Sequence, residues 1–120
     1  MYAAFDNNGD LICLTTNREY AIETADSHFK DTAELPIDED LFPSDTLVSD
    51  KNGRDIGTLA ELRQPITLRK AIDFYHIAYS TLAQAAREDR IEAWRSGATW
   101  LTTRAAIEEA IEAGRLKPRK

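Results

Sequence analysis

The densest run of carboxylates in this 120-residue chain is Asp38-Glu39-Asp40. Two acids share proton-transfer work only when both reach one substrate, and neighbours on an extended segment point to opposite sides. The run does not make an acid/base pair. His28 and His76 lie far apart, and neither has a second ligand at metal-binding spacing. His28 falls at the edge of an expected helix. Cys13 is the only cysteine, so it has no internal disulfide partner and reads as a small buried residue of the strand "LICLTT". Two D-x-N-G stretches, Asp6 to Gly9 and Asp50 to Gly53, bring acids beside glycine. A calcium loop carries its glycine at the sixth position after the first ligand, whereas here it comes fourth. No glycine-rich phosphate loop occurs. The expectation is a chain that is not an enzyme and takes no metal or cofactor.

Apolar residues make up 42% of the chain and charged ones 30%, the balance of a folded domain and not of a disordered one. No apolar run approaches the roughly 18 residues of a membrane span. The start, "MYAAFDNNGD", lacks the basic region and apolar core of a secretory signal. With a single cysteine, a reducing cytoplasm is the expected setting. The net charge of -6 conceals an asymmetry. Residues 1–65 hold 14 acidic and 5 basic side chains, a net -9, and residues 66–120 hold 7 and 10, a net +3. One half repels polyanions and the other attracts them.

The acidic half opens with two short apolar runs around Asn8-Gly9, whose residues tolerate positive φ, so a β-hairpin is expected. "TNREYAIETADSHF" reads as a helix with Thr16 and Glu19 at capping-box spacing and Ala21, Ile22, Ala25 and Phe29 on its inner face. The stretch from Asp31 to Asp45, with Pro36, Pro43 and six acids (Asp31, Glu34, Asp38, Glu39, Asp40 and Asp45), reads as loop or short extended structure. Asn52-Gly53 then repeats the first hairpin turn, which reads as the same turn chemistry used twice, the alternative being a degenerate internal repeat. Residues 1–62 are expected to form a small α+β unit with β-hairpins and one helix. Its size is near the lower limit for an independent core, so self-association or a protein partner is its expected role.

Pro65 marks the boundary to residues 63–120. Thr67 is placed to cap a short helix with Leu68, Ala71, Ile72 and Tyr75 inward. "HIA" is a tight corner. "YSTLAQAARED" is a second helix with Leu82, Ala85 and Ala86 inward, and "RIEAWRSGATWLTT" is a hairpin turning near Gly97. Thr103 caps a third helix with Ile107, Ala110 and Ile111 inward, which Gly114 ends and Pro118 keeps from resuming. The last residues, "RLKPRK", read as a basic, mobile tail.

Helix, turn, helix, hairpin, helix is the order of a winged helix-turn-helix. Residues 66–112 resemble the excisionase/MerR-type DNA-binding domain through Ala71, Ile77, Ser80-Thr81, Leu82, Ile91, Ala93, Gly97 and Trp100-Leu101, without gaps. The resemblance implies a second helix in the major groove and a hairpin wing along the neighbouring backbone. Related domains carry glycine where this chain has His76 and Asp89, so both are expected at positive φ, and a capping serine where it has Ala78. They carry basic residues where it has Ala83, Gln84, Trp94 and Thr99.

On that reading the outward face of the second helix presents Tyr79, Ser80, Gln84 and Arg87 to the base edges. Arginine pairs with guanine and glutamine with adenine. Arg95 and Ser96 of the wing, with Arg90 and Arg69, are the expected phosphate contacts. Trp100 is expected in the core, and Trp94 at the base of the wing or against a partner. The implied function is sequence-specific binding of double-stranded DNA by a small bacterial or phage transcriptional regulator. Its acidic half would dimerise or hold an effector protein. The alternatives are a protein-interaction module, such as an antitoxin or adaptor, and an excisionase-like architectural protein that bends DNA.

Overall fold

The computed structural model describes residues 1–27, 32–35 and 41–117, with the backbone alone at Asp26 and Ser27. The expectations for His28, Phe29, Pro36, Asp38, Glu39, Asp40 and Pro118 lie outside the described residues. The chain is α+β, with five helices and two sheets among the described residues, and divides into Met1–Leu62 and Arg63–Lys120. No helix among the described residues is long and apolar enough to cross a membrane.

In the first unit, β1 (Tyr2–Phe5) and β2 (Leu11–Thr15) form an antiparallel hairpin that reverses through Asp6–Asp10. Gly9 takes φ +81°, and its N–H donates to the Asp6 carbonyl at 3.1 Å. Asp6 Oδ1 accepts from the N–H groups of Asn8 and Asp10 at 2.8 and 3.0 Å. Helix α1 (Arg18–Ser27) packs on β1 and β2, burying Ala21 and Ala25 and half-burying Ile22. β3 (Thr32–Glu34) pairs with β1. β4 (Leu47–Ser49) lies parallel to β2, and β5 (Asp55–Thr58) pairs back on β4 through a second turn, so the sheet order is β3-β1-β2-β4-β5. Ala3 and Ala4, adjacent on β1 and therefore on opposite faces, are both fully buried. Met1, Leu14, Val48, Leu59 and Leu62 complete the buried apolar set.

The start of α1 corrects one expectation. Asn17, not Thr16, is the cap: its Oδ1 accepts from Tyr20 N–H at 2.7 Å. Pairing with β4 carries β2 through Thr15, whose hydroxyl donates to the Ser49 carbonyl at 2.8 Å, and Thr16 N–H donates to the same carbonyl at 3.3 Å. The helix can begin only after that connection. Thr16 Oγ1 is buried with no hydrogen-bond partner among the described residues. A second helix, α2 (Leu59–Arg63), was not expected in this half. It carries a true capping box, in which Thr58 Oγ1 accepts from Glu61 N–H and Glu61 Oε1 from Thr58 N–H, both at 3.2 Å.

In the second unit, β6 (Ile66–Thr67) pairs with β8 (Thr99–Thr102), which pairs with β7 (Ala93–Ser96). Three helices accompany this sheet: α3 (Leu68–Ala71), α4 (Tyr79–Arg87) and α5 (Arg104–Glu112). Thr67 caps α3 by accepting from Lys70 N–H, and Thr103 caps α5 by accepting from Ala106 N–H. The core is Leu68, Ala71, Ile77, Leu82, Ala83, Ala85, Ala86, Ile91, Ile107, Ala110 and Leu116, with Ile66, Tyr75, Ala93, Trp100 and Ile111 packed against it.

The first helix of this unit is shorter than its apolar spacing suggests, and the corner after it is longer. After Ala71 the bonds tighten to i−3, from Asp73 N–H to the Lys70 carbonyl and from Phe74 N–H to the Ala71 carbonyl. That tightening changes the rotation per residue, so Ile72 turns outward, at 39% exposure. Asp89 takes φ +56°, as expected, but His76 keeps a negative φ. The longer corner reverses the chain without a left-handed residue at that point. The end of the chain also differs from expectation, because Leu116 is buried in the core. Gly114 at φ +75° turns the backbone back over α5, with the N–H groups of Arg115 and Leu116 donating to the Ala110 carbonyl.

Candidate nucleic-acid interface

Helix α4 has two unlike faces. Leu82, Ala83, Ala85 and Ala86 are buried, while Tyr79, Ser80, Gln84 and Arg87 are exposed. Small alanines on the buried side let α4 lie close to its neighbours, so the outward side stands clear. Ala83 belongs to the core of this unit. The helix opens at Ala78, which supplies no side-chain cap. Its carbonyl accepts from Thr81 and Leu82 N–H, both at 3.1 Å.

Beside the start of α4 is an open cleft of about 290 Å³, lined by Thr67, Leu68, Arg69, Tyr79, Ala98, Thr99 and Trp100. Its walls come from three places: the end of β6 with the start of α3, the first residue of α4, and the tip of the β7–β8 hairpin. Tyr79, 42% exposed, carries the Arg69 guanidinium over its ring at 5.0 Å. Trp100, half-buried with its body in the core, carries the Arg95 guanidinium at 5.5 Å. Each stacking holds a cation in place while leaving N–H donors for an incoming acceptor. Ser96 is exposed at the hairpin tip, where it pairs across the strands with Thr99.

Among the described residues, no carboxylate pairs with Arg69, Arg87 or Arg95. Arg90 is different. Its guanidinium pairs with Glu88 at 3.0 Å and donates to the Arg115 carbonyl at 3.4 Å, and its Nε is buried without an acceptor. Both partners hold its guanidinium at the end of the unit. Gln84 also has a partner, since its Nε2 donates to Glu88 Oε2 at 3.3 Å. The structure therefore brings Arg69, Tyr79 and the tip of the β7–β8 hairpin to one cleft, sets Gln84 and Arg87 farther along the same helix, and pairs Arg90 with Glu88 and the Arg115 carbonyl. Sequence reasoning missed Thr67, Thr99 and Trp100 as cleft walls, and Glu88 as the partner of Gln84. The i, i+4 spacing of Gln84 and Glu88 was a usable signal. The cleft walls come from β6, which is two residues long and carries no period of its own.

Trp94 is 39% exposed and lies across from Leu101, on the opposite face of the hairpin from Trp100. Burial pushes the Cys13 thiol up in pKa, away from the reactive thiolate, and a hydrogen bond with Thr24 only partly opposes this. Burial likewise keeps the Tyr75 hydroxyl protonated, reinforced by the nearby Glu108 carboxylate. No group of three or more His, Cys, Asp or Glu side chains among the described residues is arranged to hold a metal ion. No family model, curated protein or solved structure matches this chain.

Proposed function

We propose that residues 63–120 bind double-stranded DNA as a winged helix-turn-helix of the excisionase/MerR type, and that the protein is a DNA-binding regulator. In this reading α4 enters the major groove and the β7–β8 hairpin follows the adjacent backbone. The observation that carries it is the set of arginines without carboxylate partners. In a chain of net charge -6, Arg69, Arg87 and Arg95 remain unneutralised among the described residues. Two of them are stacked on the aromatic walls of one cleft at the start of the exposed helix. Arg87 and Gln84 are the base-reading side chains, and Arg69 and Arg95 the phosphate contacts. Residues 1–62 serve as the protein-contact half. Their charge opposes DNA, and Leu41 and Leu47 are each 53% exposed, which supports self-association or a protein partner.

Titration of the full chain with duplex DNA tests this. Trp94 and Trp100 flank the hairpin, so their fluorescence is expected to change on docking. Affinity should fall with salt, because each phosphate contact releases counterions. Arg95→Ala should weaken binding to all sequences alike and flatten the salt slope by about one unit. Arg87→Ala should cost about 1–3 kcal/mol and relax preference at one position. Unchanged fluorescence and electrophoretic mobility with duplex DNA at low salt would overturn the reading. Sedimentation of the full chain tests the acidic half: a monomer at micromolar concentration removes the homodimer and leaves only a heterologous partner.

A further inference from the structure

Glu88 stands immediately after the last residue of α4, in hydrogen-bond contact with Gln84 on the exposed face. If that face meets DNA, the carboxylate stands near phosphates that repel it. It also stands at a helix C-terminus, where the macrodipole disfavours negative charge. Two interactions offset this. Asp89, at φ +56°, ends the helix and turns the chain so that Arg90 N–H donates back to the Ala85 carbonyl at 2.9 Å. The turn brings the Arg90 guanidinium to Glu88 Oε1 at 3.0 Å. The far side of Arg90 is tied to the Arg115 carbonyl, and Arg115 N–H is tied to the Ala110 carbonyl of α5 at 2.8 Å. Glu88 is thus held from behind by the packed end of the unit, and its other oxygen, Oε2, faces Gln84.

We propose that Glu88, held by Arg90, is a positioning residue that fixes the side-chain amide of Gln84 so that α4 selects adenine at the base pair Gln84 faces. This rests on the DNA-reading function proposed above. A free glutamine amide can turn over and present its oxygen and nitrogen in either order. A carboxylate accepts hydrogen bonds and donates none, so the nitrogen of Gln84 must face Glu88. One N–H is then committed, and Oε1 and the second N–H remain for the groove. That pair matches the N6 donor and N7 acceptor on the major-groove edge of adenine. Arg90, expected from sequence at a phosphate, instead acts through Glu88.

The test uses the full chain and a duplex enriched from random sequence by the wild-type protein, with every position then varied singly. Wild-type protein is expected to favour adenine at one position by about tenfold, within the range one base contact supplies. Gln84→Ala removes the preference at that position. Glu88→Gln, whose amide can both donate and accept, releases the orientation and brings the same preference to within about twofold, as does Glu88→Ala. Melting temperatures of the variants separate this from damage to the fold, since a merely structural Glu88 would lower stability and leave the ratio between bases unchanged. If Glu88→Gln keeps the adenine preference that Gln84→Ala abolishes, the positioning role is wrong while DNA reading stands. If Gln84→Ala alters no position, the amide does not read a base and the inference falls, again without touching the rest of the interface. If the wild-type chain binds no duplex, both fall together.

Discussion

At Asp6–Asp10 and again at Asp50–Arg54, the chain of the first unit reverses through the same turn. In each, the aspartate carbonyl accepts from the glycine N–H at 3.1 Å, and Oδ1 accepts from the N–H groups two and four residues on. Even the bulge recurs, between Ala4 and Phe5 in one hairpin and between Val48 and Ser49 in the other. The hairpin of the second unit turns at Gly97 and Ala98 with no comparable aspartate. It is held from its base, where Thr102 donates to the Glu92 carbonyl at 2.8 Å, β6 pairs with β8 and Trp100 packs in the core. The first kind of turn satisfies its own backbone and needs nothing from outside. The second leaves Ser96, Gly97, Ala98 and Thr99 exposed on a supported stalk, which suits a tip that makes contacts.

The largest test of this contrast is Leu82→Ala. Leu82 is fully buried in the core that carries the stalk, so the loss should be about 2–5 kcal/mol. Amide exchange should quicken across 63–120 and stay unchanged in the two aspartate-braced turns. Equal acceleration in both units would show that the hairpins do not differ in what supports them.

The two braced turns can then be set against each other. Gly9 and Gly53 sit at φ +81° and +79°, so alanine at either should cost roughly 1–2 kcal/mol from backbone strain. A Cβ at Gly9 meets nothing within 4 Å, whereas one at Gly53 would fall 2.7 Å from the Tyr20 hydroxyl. Gly53→Ala should therefore lower the melting temperature more than Gly9→Ala does, and adding Tyr20→Phe should narrow the gap. Equal losses would mean that the Tyr20 side chain yields to the added methyl without cost.

Smaller effects follow at the helix starts. Thr67 and Thr103 cap α3 and α5, but Ala78 leaves α4 without a side-chain cap. Ala78→Ser should raise the stability of the second unit by about 0.5–1 kcal/mol in chemical denaturation. No gain would indicate that the start of α4 is already satisfied. A further effect is one of pH. Burial lowers the Met1 amine pKa from 8.0 to about 6, with Glu34 opposing. Between these values the unfolded chain binds more protons than the folded one, so stability of the first unit should be full above pH 8 and decline as pH falls through 6. Blocking the amine by acetylation should remove that slope.

Capping shows where sequence reading stops. Thr16 and Glu19 have the capping-box spacing, and so do Thr58 and Glu61. Only the second pair closes. The spacing is identical, but strand pairing carries β2 up to Thr15, so Thr16 is left behind the true cap at Asn17. At Thr58 the strand ends where the helix begins, and the carbonyls of Thr46 and Ser44 take the first two helical N–H groups. The α4 face was legible in the same way as the two turns: alternation of alanines with Tyr79, Gln84 and Arg87 sorts the faces by helical period alone. The cleft was not, because Thr67, Tyr79 and Trp100 come from three separate elements.

By itself the sequence determined what closes within a few residues: the two aspartate turns, the left-handed glycines, the α4 and α5 faces and the stop at Gly114. Their hydrogen bonds and steric limits involve near neighbours, so residue type and spacing suffice. Tertiary structure decided the rest. It chose which capping box forms, shortened α3 so that Ile72 points outward, drew Leu116 into the core, and turned Arg90 toward Glu88 and the Arg115 carbonyl. Each of these outcomes depends on a partner many residues away or on space left by other elements, and no local pattern specifies either.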